Sequence, residues 1–446
     1  MLSYRKLAMR VLGRPLHTGG SDSPRPASQR AAALILTAAM LTTLTAPAFA
    51  KEWYIEEGDI TVRAGETEGT NKVSQGENPE VEDTNTVITN SDKDKASSNT
   101  VTIEAKDKDD KVEVTLKDVN IDTSSRSEAA VSVTGEGNTN IELDGDNALK
   151  SDIYSSGISS SGSLTISGGE NDSLTAQGGS GADGIYSSGS LTISGGTVTA
   201  NGGSGGGGDG GDGIWSSGGV TISGGSTVTA NGGDGKDDYG GDGIRSDSGD
   251  VTISGGSTVT ANGGNGGNVS GDGIRSDSGD VTISGGTVKA TGGDSKDGYG
   301  GDGIRSGGVV TISGNTVNAA GGNGGKVGGY GICSFDRVAI SGGTVNAAGG
   351  NGGKVGGDGI YSNDIDLSGS LELTAKAGSP NGKALSQNGK ELNLDTIKDK
   401  LGPGAKVTTT DADGKVNQVS VPRPVEPEEP VIPEESSSSS DGGSAT

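Results

Sequence analysis

The sequence has very few of the residues from which globular cores, disulfide frameworks and histidine-dependent sites are built. Of its 446 residues, 3% are aromatic, one is cysteine and one is histidine. The single cysteine, Cys333, excludes an internal disulfide. The single histidine, His17, leaves no imidazole beyond that position to activate a nucleophile or to ligate zinc. With 34 basic against 59 acidic residues, nucleic acid is not an expected partner.

Long hydrophobic runs are scarce as well. The main run, residues 31–41, follows six basic residues and precedes the small-residue pattern Ala48-Phe49-Ala50. These features predict that residues 1–50 are an export signal peptide and that the mature chain begins at Lys51. A membrane anchor is the alternative, but the run is interrupted by threonine and is short for a span. No later segment is apolar enough to cross a bilayer, so we expect a secreted, extracellular protein, either free or attached to the cell surface.

Glycine is the residue that the chain has in excess, with 86 copies, and it marks a repeat. The motif Asp-Gly-Ile recurs at intervals of 28–30 residues, and Tyr330-Gly-Ile fills the one gap. Four apolar columns run through the repeats, and in one repeat they are Ile274, Val281, Ile283 and Val288. A fixed period of this size indicates a solenoid, in which each unit buries its apolar side against its neighbours.

The runs between the glycines predict the kind of solenoid. Val-Thr-Ile-Ser and Thr-Val-Thr-Ala alternate apolar with polar residues and are rich in β-branched side chains, which is typical of short strands. The pattern therefore favours an all-β parallel β-helix with coils of about 28–30 residues over a leucine-rich repeat or a propeller. We expect the glycine-rich segments between the strands to be mobile loops.

The regularity of the repeat also predicts how the chain is divided. Acidic, strand-like segments precede the regular period, and a segment rich in proline, glutamate and serine ends the chain. The predicted parts are a signal peptide (1–50), irregular coils that cap the N-terminal end (51–150), regular coils (151–380), a C-terminal cap with a hairpin (381–421) and a disordered linker (422–446).

Two stretches carry a resemblance to a known family. Residues 271–288 read Gly-Asp-Gly-Ile-Arg-Ser-Asp-Ser-Gly-Asp-Val-Thr-Ile-Ser-Gly-Gly-Thr-Val, and residues 130–147 include Asn140-Ile-Glu-Leu-Asp-Gly-Asp-Asn. Both are similar to the secreted bacterial carbohydrate-binding domain family that has a pectate-lyase-like, right-handed parallel β-helix. The resemblance implies a right-handed coil, binding of acidic or cellulosic plant-type polysaccharide, and bound calcium.

The residue that follows each Gly-Ile is expected to point outward, because the isoleucine points inward. Guanidinium groups bind carboxylates through a planar fork, and aromatic faces stack on sugar rings, so this column predicts a polysaccharide-binding surface. The alternative is that each arginine only pairs with a nearby aspartate, since exposed ion pairs are common. The predicted binding residues are Tyr186, Trp215, Arg245, Arg275, Arg305 and Tyr361, and Cys333 occupies the remaining position of the column.

The aspartates before and after this column are the candidate ligands of calcium, a cation that prefers oxygen. Stacked carboxylates would repel one another, and either calcium or the neighbouring arginines would relieve the repulsion. The alternative role of the Asp in Asp-Gly-Ile is to cap backbone N–H groups within its own turn. The candidates are Asp212, Asp242, Asp272 and Asp302 in the motif, with Asp247, Asp250, Asp277 and Asp280 beside it.

Taken together, these features predict a secreted, monomeric, non-catalytic polysaccharide-binding protein that is stabilised by Ca²⁺. One alternative is a surface adhesin in which the solenoid acts only as a stalk. The other is a polysaccharide lyase that uses Arg245, Arg275 or Arg305 as its base. The lyase is disfavoured because a catalytic site usually interrupts a repeat, and no coil in the sequence stands out in that way.

Overall fold

The computed structural model describes residues 51–423, and over this range the chain is a parallel β-helix of about eleven turns with almost no helix. The predicted fold class is therefore confirmed. Successive coils pair in parallel along three ladders, which are numbered here in the order in which the Asp-Gly-Ile repeat meets them. The pairing pattern is the same for either hand of coil, so the right-handed sense stays a prediction.

The first ladder contains the strand that starts at the Gly-Ile isoleucine. Each short strand pairs residue by residue with the equivalent strand of the next coil, as in Ile244↔Ile274 and Arg245↔Arg275. Two of its members are the beginnings of longer strands that continue into the other ladders. The strands are Ile60–Ala64, Val101–Glu104, Val131–Thr134, Ile158–Ser160, Ile185–Ser187, Ile214–Ser216, Ile244–Ser246, Ile274–Ser276, Ile304–Ser306, Ile332–Ala348, Ile360–Lys376 and Leu385–Gln387.

The second ladder contains the Val-Thr-Ile segments, and the third contains the Thr-Val-Thr-Ala segments. Four long strands pass through both: Ser163–Ser180, Ser190–Gly203, Ile332–Ala348 and Ile360–Lys376. The other strands of the second ladder are Glu52–Tyr54, Thr86–Thr89, Lys111–Lys117, Asn138–Asp144, Gly219–Ser223, Val251–Ser254, Val281–Ser284 and Val310–Ile312. Those of the third are Asn120–Asp122, Asp146–Lys150, Thr227–Asn231, Thr258–Asn262, Thr287–Thr291, Asn315–Ala320 and Lys406–Thr410.

The core consists of columns of small aliphatic side chains that stack on identical residues of the next coil. Ile274, Val281, Ile283 and Val288 are all fully buried, as predicted. A serine column that the apolar pattern does not reveal is also buried, and Ser276 represents it. The Ser276 hydroxyl donates to the carbonyl of Gly249 in the preceding coil at 2.9 Å, which satisfies a polar group inside the core.

The glycine-rich segments are ordered, which differs from the expectation of mobile loops. Residues 202–211, 232–241, 263–271, 292–301, 321–329 and 349–357 leave the third ladder, turn, and return to the next Gly-Ile. They stack in register through bridges such as Gly205↔Gly235 and Tyr239↔Val269, and we call this layer the glycine tongue. Its two arms are joined directly by backbone bonds, such as Gly271 N–H to Gly264 O at 2.9 Å. These bonds fix the segments without any side-chain core.

Both ends of the solenoid carry antiparallel hairpins. At the N-terminal end, Ile60–Ala64 pairs antiparallel with Asn71–Gln75, which pairs with Val81–Asp83. At the C-terminal end, Lys406–Thr410 pairs with Val416–Ser420, which confirms the predicted hairpin, and Leu385–Gln387 pairs with Lys390–Glu391. The short 3₁₀ turns are Ile55–Glu57, Leu394–Thr396 and Lys398–Lys400.

The coil itself extends past residue 380, because Leu385–Gln387 and Lys406–Thr410 add parallel rungs to the first and third ladders. The predicted C-terminal cap at 381–421 therefore contains part of a last coil as well as the hairpin. The predicted signal peptide and nearly all of the predicted linker lie outside the described residues. Within residues 51–423 there is no helix whose length and hydropathy would allow it to cross a membrane.

Removing one buried isoleucine should destabilise the whole domain, because each core side chain packs against two neighbouring coils. Ile274→Ala is expected to lower the free energy of unfolding by about 2–5 kcal/mol. Thr282→Ala is the matched control, since this partly exposed residue lies in the same repeat and its loss should change stability by less than about 0.5 kcal/mol. Chemical denaturation followed by circular dichroism measures both. Equal effects of the two substitutions would contradict the assigned core.

Candidate functional site

The outward column on the first ladder brings together most of the predicted binding residues. Strand pairing places Tyr186 next to Trp215, Trp215 next to Arg245, and the three arginines on successive rungs. The rings of Tyr186 and Trp215 stack with their centroids 4.6 Å apart and an angle of 11° between their planes. Tyr361 lies two rungs beyond Arg305, next to Cys333. We call this series, from Tyr186 to Tyr361, the outer column.

Two of the three arginines of the outer column are held by aspartates, as the alternative reading of the sequence predicted. Arg245 Nε lies 3.0 Å from Asp247 Oδ1, and Arg245 Nη2 lies 2.9 Å from Asp277 Oδ2. Arg275 Nε lies 2.6 Å from Asp277 Oδ1, so Asp277 bridges two coils. These contacts fix both guanidinium groups along the surface and satisfy part of their hydrogen-bonding capacity.

The aspartates of Asp-Gly-Ile do not cap their own turns. Each side chain accepts the backbone N–H of the corresponding residue in the next coil, such as Asp242 from Asp272 at 2.6 Å and Asp272 from Asp302 at 2.6 Å. The series of such bonds begins at Asp183, which accepts from the N–H of Asp212 at 2.7 Å. It ends at Asp302, which accepts from the N–H of Tyr330 at 2.7 Å. This series of five aspartates, called here the aspartate ladder, joins six coils, from that of Asp183 to that of Tyr330.

Burial of the aspartate ladder shifts its titration. Desolvation, reinforced by the neighbouring carboxylates, raises the pKa of Asp242 and Asp272 to about 7 despite the opposing effect of nearby arginines. Burial likewise raises the pKa of Asp183 and Asp302 to about 6 and that of Asp212 well above its usual range. The second oxygen of Asp272 has no hydrogen-bond partner, and Arg275 Nη1 lies 3.7 Å from it. The positive charge of the arginines therefore offsets only part of the cost of burying the charged carboxylates.

The structure does not gather the predicted calcium ligands into one cluster, and calcium binding stays a prediction. Asp212, Asp242, Asp272 and Asp302 use one oxygen on the backbone of the next coil, and Asp247 and Asp277 pair with arginines. Asp250 and Asp280 accept the backbone N–H groups of Asp280 and Val309 at 2.9 and 2.8 Å. In the described part of the chain, no group of three or more acidic, histidine or cysteine side chains is placed to hold a metal. Arginines lie beside several of these carboxylates.

A second column of residues, on the glycine tongue, faces the same groove as the arginines. Bridges align Tyr239, Val269, Tyr299, Val327 and Val355 on successive coils, and Tyr239 and Tyr299 are 54% and 51% exposed. Tyr239 and Val269 line one depression of about 370 Å³ together with Arg245, Arg275 and the aspartates at positions 183, 209, 212 and 242. A neighbouring depression of about 660 Å³, lined by Tyr154 and Tyr186, shares Gly181 and Asp183 with it. We call these two adjoining depressions the groove.

The sequence analysis missed this tongue column, although a signal is present. In five successive repeats, a valine or tyrosine stands three positions before the first residue of the Asp-Gly-Ile or Tyr-Gly-Ile motif. Because the surrounding glycine-rich segments show no alternation of apolar and polar residues, they gave no indication that this position would line a surface. The structure therefore gives the groove two walls, whereas the sequence predicted one.

The outer column also departs from the prediction near its C-terminal end. Cys333 was expected to point outward like its neighbours, but its side chain is fully buried, and burial raises the pKa of its thiol. In the same repeat Tyr330 replaces the aspartate of the motif and stacks on Tyr361, with centroids 5.0 Å apart and an interplanar angle of 17°. Phe335, which is 49% exposed, contacts Arg305. The repeat is therefore interrupted here, contrary to the expectation that no coil stands out.

Comparison with known proteins supports the fold. The family model described as beta helix repeat matches three stretches of the chain, residues 191–214, 220–244 and 281–304. No curated protein and no solved structure matches the chain significantly. The matched stretches end at Ile214, Ile244 and Ile304, so each runs from the second ladder through the third to the first residue of the next strand in the first ladder.

The aspartate ladder predicts that stability falls as the pH rises. Folded pKa values of about 6–7 lie above the ordinary value of 3.8, so the folded protein retains protons that the unfolded chain releases. The stabilisation is complete below about pH 4 and is lost as the pH rises to about 7. Asp272→Asn should therefore reduce the difference in melting temperature between about pH 5 and pH 8. Asp250→Asn is the control, because Asp250 makes the same inter-coil bond but is exposed.

For this pair of variants, thermal unfolding is followed at both pH values in the same buffer series. We expect the Asp250→Asn protein to keep the pH dependence of the parent. An Asp272→Asn protein that loses as much stability as the parent on going to high pH would contradict the assignment of the ladder.

Removal of calcium should leave the protein equally stable, because every predicted ligand is already engaged with the backbone or with an arginine. The melting temperature of the parent is therefore expected to be unchanged by EDTA. An ion bound only to the folded state would stabilise it by mass action, so a melting temperature that falls with EDTA and recovers with Ca²⁺ would contradict this expectation.

Proposed function

We propose that the protein is a secreted, non-catalytic polysaccharide-binding protein whose ligand lies in the two-walled groove. The observation that supports this most strongly is that Tyr239 and Val269 of the tongue line the same depression as Arg245 and Arg275. One wall therefore offers the guanidinium donors of two arginines beside the carboxylates of Asp183, Asp212 and Asp242, and the other offers apolar faces. A sugar ring has the matching combination of hydroxyl groups around its edge and C–H groups on its faces.

The direction of the groove also suits a polymer. Both walls repeat once per coil, at the strand spacing of about 4.8 Å. This spacing is similar to the length of one sugar unit, so successive units of an extended chain would meet equivalent side chains. At one end the stacked pair Tyr186 and Trp215 offers a broad aromatic face for a neutral ring. Acidic or cellulosic glycans are the ligand classes that this surface fits.

The absence of catalysis is part of the proposal. A lyase would need one of the arginines to act as a base, which requires its neutral form. Burial would lower the pKa of Arg245, Arg275 and Arg305, but the surrounding aspartates outweigh it and raise the pKa of all three. The guanidinium groups therefore stay charged and donate hydrogen bonds, which suits binding. These arginines are therefore poor candidates for the base of a lyase.

The stalk of a surface adhesin remains the second candidate. The ion pairs of Arg245 and Arg275 with Asp247 and Asp277 favour it, because they give these arginines a structural role without any ligand. In that case the solenoid is a rigid spacer and the groove is a by-product of stacked repeats. Export by the segment 1–50 is common to both candidates, and N-terminal sequencing of the secreted protein would test the expected start at Lys51.

The test of glycan binding uses polygalacturonate as an acidic polymer and cellulose as a neutral one. The parent should bind both without releasing unsaturated products. The combined change Arg245→Ala, Arg275→Ala and Arg305→Ala should abolish binding to polygalacturonate, whereas Tyr186→Ala with Trp215→Ala should mainly reduce binding to cellulose. Pull-down with insoluble polymer and affinity electrophoresis measure these effects.

Because the triple alanine variant also leaves the aspartates without counter-charges, it needs a control for folding. The corresponding triple lysine variant keeps the positive charges but loses the planar fork, so we expect it to fold like the parent and to bind polygalacturonate more weakly. If the parent binds neither polymer, the stalk becomes the better account. If unsaturated sugars accumulate, the protein is a lyase.

A further inference from the structure

The three arginines of the outer column are not equivalent. Arg245 and Arg275 are each followed two residues later by an aspartate, Asp247 or Asp277, that binds the guanidinium group. In the next coil the equivalent position is Gly307, so Arg305 has no such partner. Its only ion pair among the described residues is with Asp302, whose Oδ2 lies 3.4 Å from Nη1. Most of the donors of Arg305 are therefore available to a ligand.

The following coil lacks the ladder aspartate and carries aromatic rings. Tyr330 stands where the other repeats carry the ladder aspartate, and its ring stacks on Tyr361. The guanidinium carbon of Arg305 lies 5.2 Å from the ring centroid of Phe335, a distance at which the cation is attracted to the aromatic face. Arg305 and these three rings are called here the cationic aromatic cluster.

Three changes thus coincide in one place: an aspartate is replaced by glycine, another is replaced by tyrosine, and an exposed phenylalanine is present. Each of them alone is compatible with ordinary variation between repeats. Together they create a position on the outer column where the arginine has only one ion pair, with Asp302, and where an aromatic face adjoins it. This combination fits a ring that bears a negative group.

We infer that the cationic aromatic cluster is the subsite for an anionic sugar unit, in which Arg305 binds the carboxylate and the aromatic rings contact the sugar face. The inference rests on the proposed glycan-binding function and specifies where the acidic unit is recognised. A guanidinium fork can donate two parallel hydrogen bonds to a carboxylate, which a neutral sugar does not offer in the same form. Arg245 and Arg275, whose guanidinium groups are already paired with aspartates, then donate to the hydroxyl groups that acidic and neutral sugar units share.

The experiment compares binding of the full chain to polygalacturonate and to its fully methyl-esterified form, which keeps the rings but lacks the charge. Arg305→Gln should weaken binding to polygalacturonate by about tenfold or more and leave binding to the ester within about twofold of the parent. Phe335→Ala should weaken binding to both polymers, because the ring contacts the sugar rather than the carboxylate. Melting temperatures confirm that each variant is folded.

Two controls separate the subsite from general electrostatics. Arg337→Gln makes the same change in net charge at an exposed residue outside the outer column, and it should reduce affinity for polygalacturonate by less than about twofold. Arg275→Gln combined with Asp277→Asn removes a guanidinium group from the groove without changing net charge, and it should change binding to the acid and to the ester by the same factor. Sulfated polymer in place of polygalacturonate shows whether a carboxylate is required or any anionic group suffices.

The outcomes distinguish the two levels of the proposal. A parent protein that binds neither polymer refutes glycan binding and the subsite together. A parent that binds both forms, with Arg305→Gln no weaker than Arg337→Gln, refutes the subsite and leaves glycan binding in place. Should Arg305→Gln fail to fold, Arg305→Lys and Phe335→Ala provide the same comparison. An unchanged affinity of both variants then overturns the inference.

Discussion

In-register hydrogen bonding between successive coils is the constraint on which the rest of the structure depends. The backbone ladders fix the coils at the strand spacing, and buried side chains then follow the same register. Asp242 accepts from the backbone of Asp272, Ser276 donates to Gly249, and the amide of Asn262 donates to Asn231 at 2.8 Å. Each polar group finds its partner one coil away. Identical residues therefore recur along each column, because a partner of another size or chemistry would leave a buried group unsatisfied.

The same constraint explains why the core needs so few aromatic and charged side chains. A thin column of Ile, Val and Ala fills the interior, and glycine allows the tongue to form without a core of its own. A Cβ atom added to Gly271 would lie 1.8 Å from the carbonyl oxygen of Gly241, so a side chain at this position is sterically incompatible with the fold. The tongue can thus come close enough to the first ladder to form the second wall of the groove.

Periodicity made most of the fold predictable, while the site was predictable only in part. Ile274 and Val281 could be assigned to the core because alternation and a fixed period specify which side chains point inward. The same alternation placed Arg275 on the surface, but it could not show that Asp277 holds it. It also failed for Cys333, because burial on the outer face depends on which neighbouring side chains cover the position. The roles of Asp272 and Tyr239 depend on contacts between coils and across the groove, which sequence spacing alone does not contain.

The uniform stacking of the tongue bears on how this surface could change during evolution. Every whole repeat adds one rung to both walls, so duplication or loss of a repeat in the gene would lengthen or shorten the groove by about 4.8 Å without altering its chemistry. An insertion of part of a repeat would instead shift the glycines out of register and bring side chains into backbone contacts such as that between Gly271 and Gly241. Copy number is therefore the variable through which the length of the groove can change, while the interrupted coil at Tyr330 marks a fixed position along the solenoid.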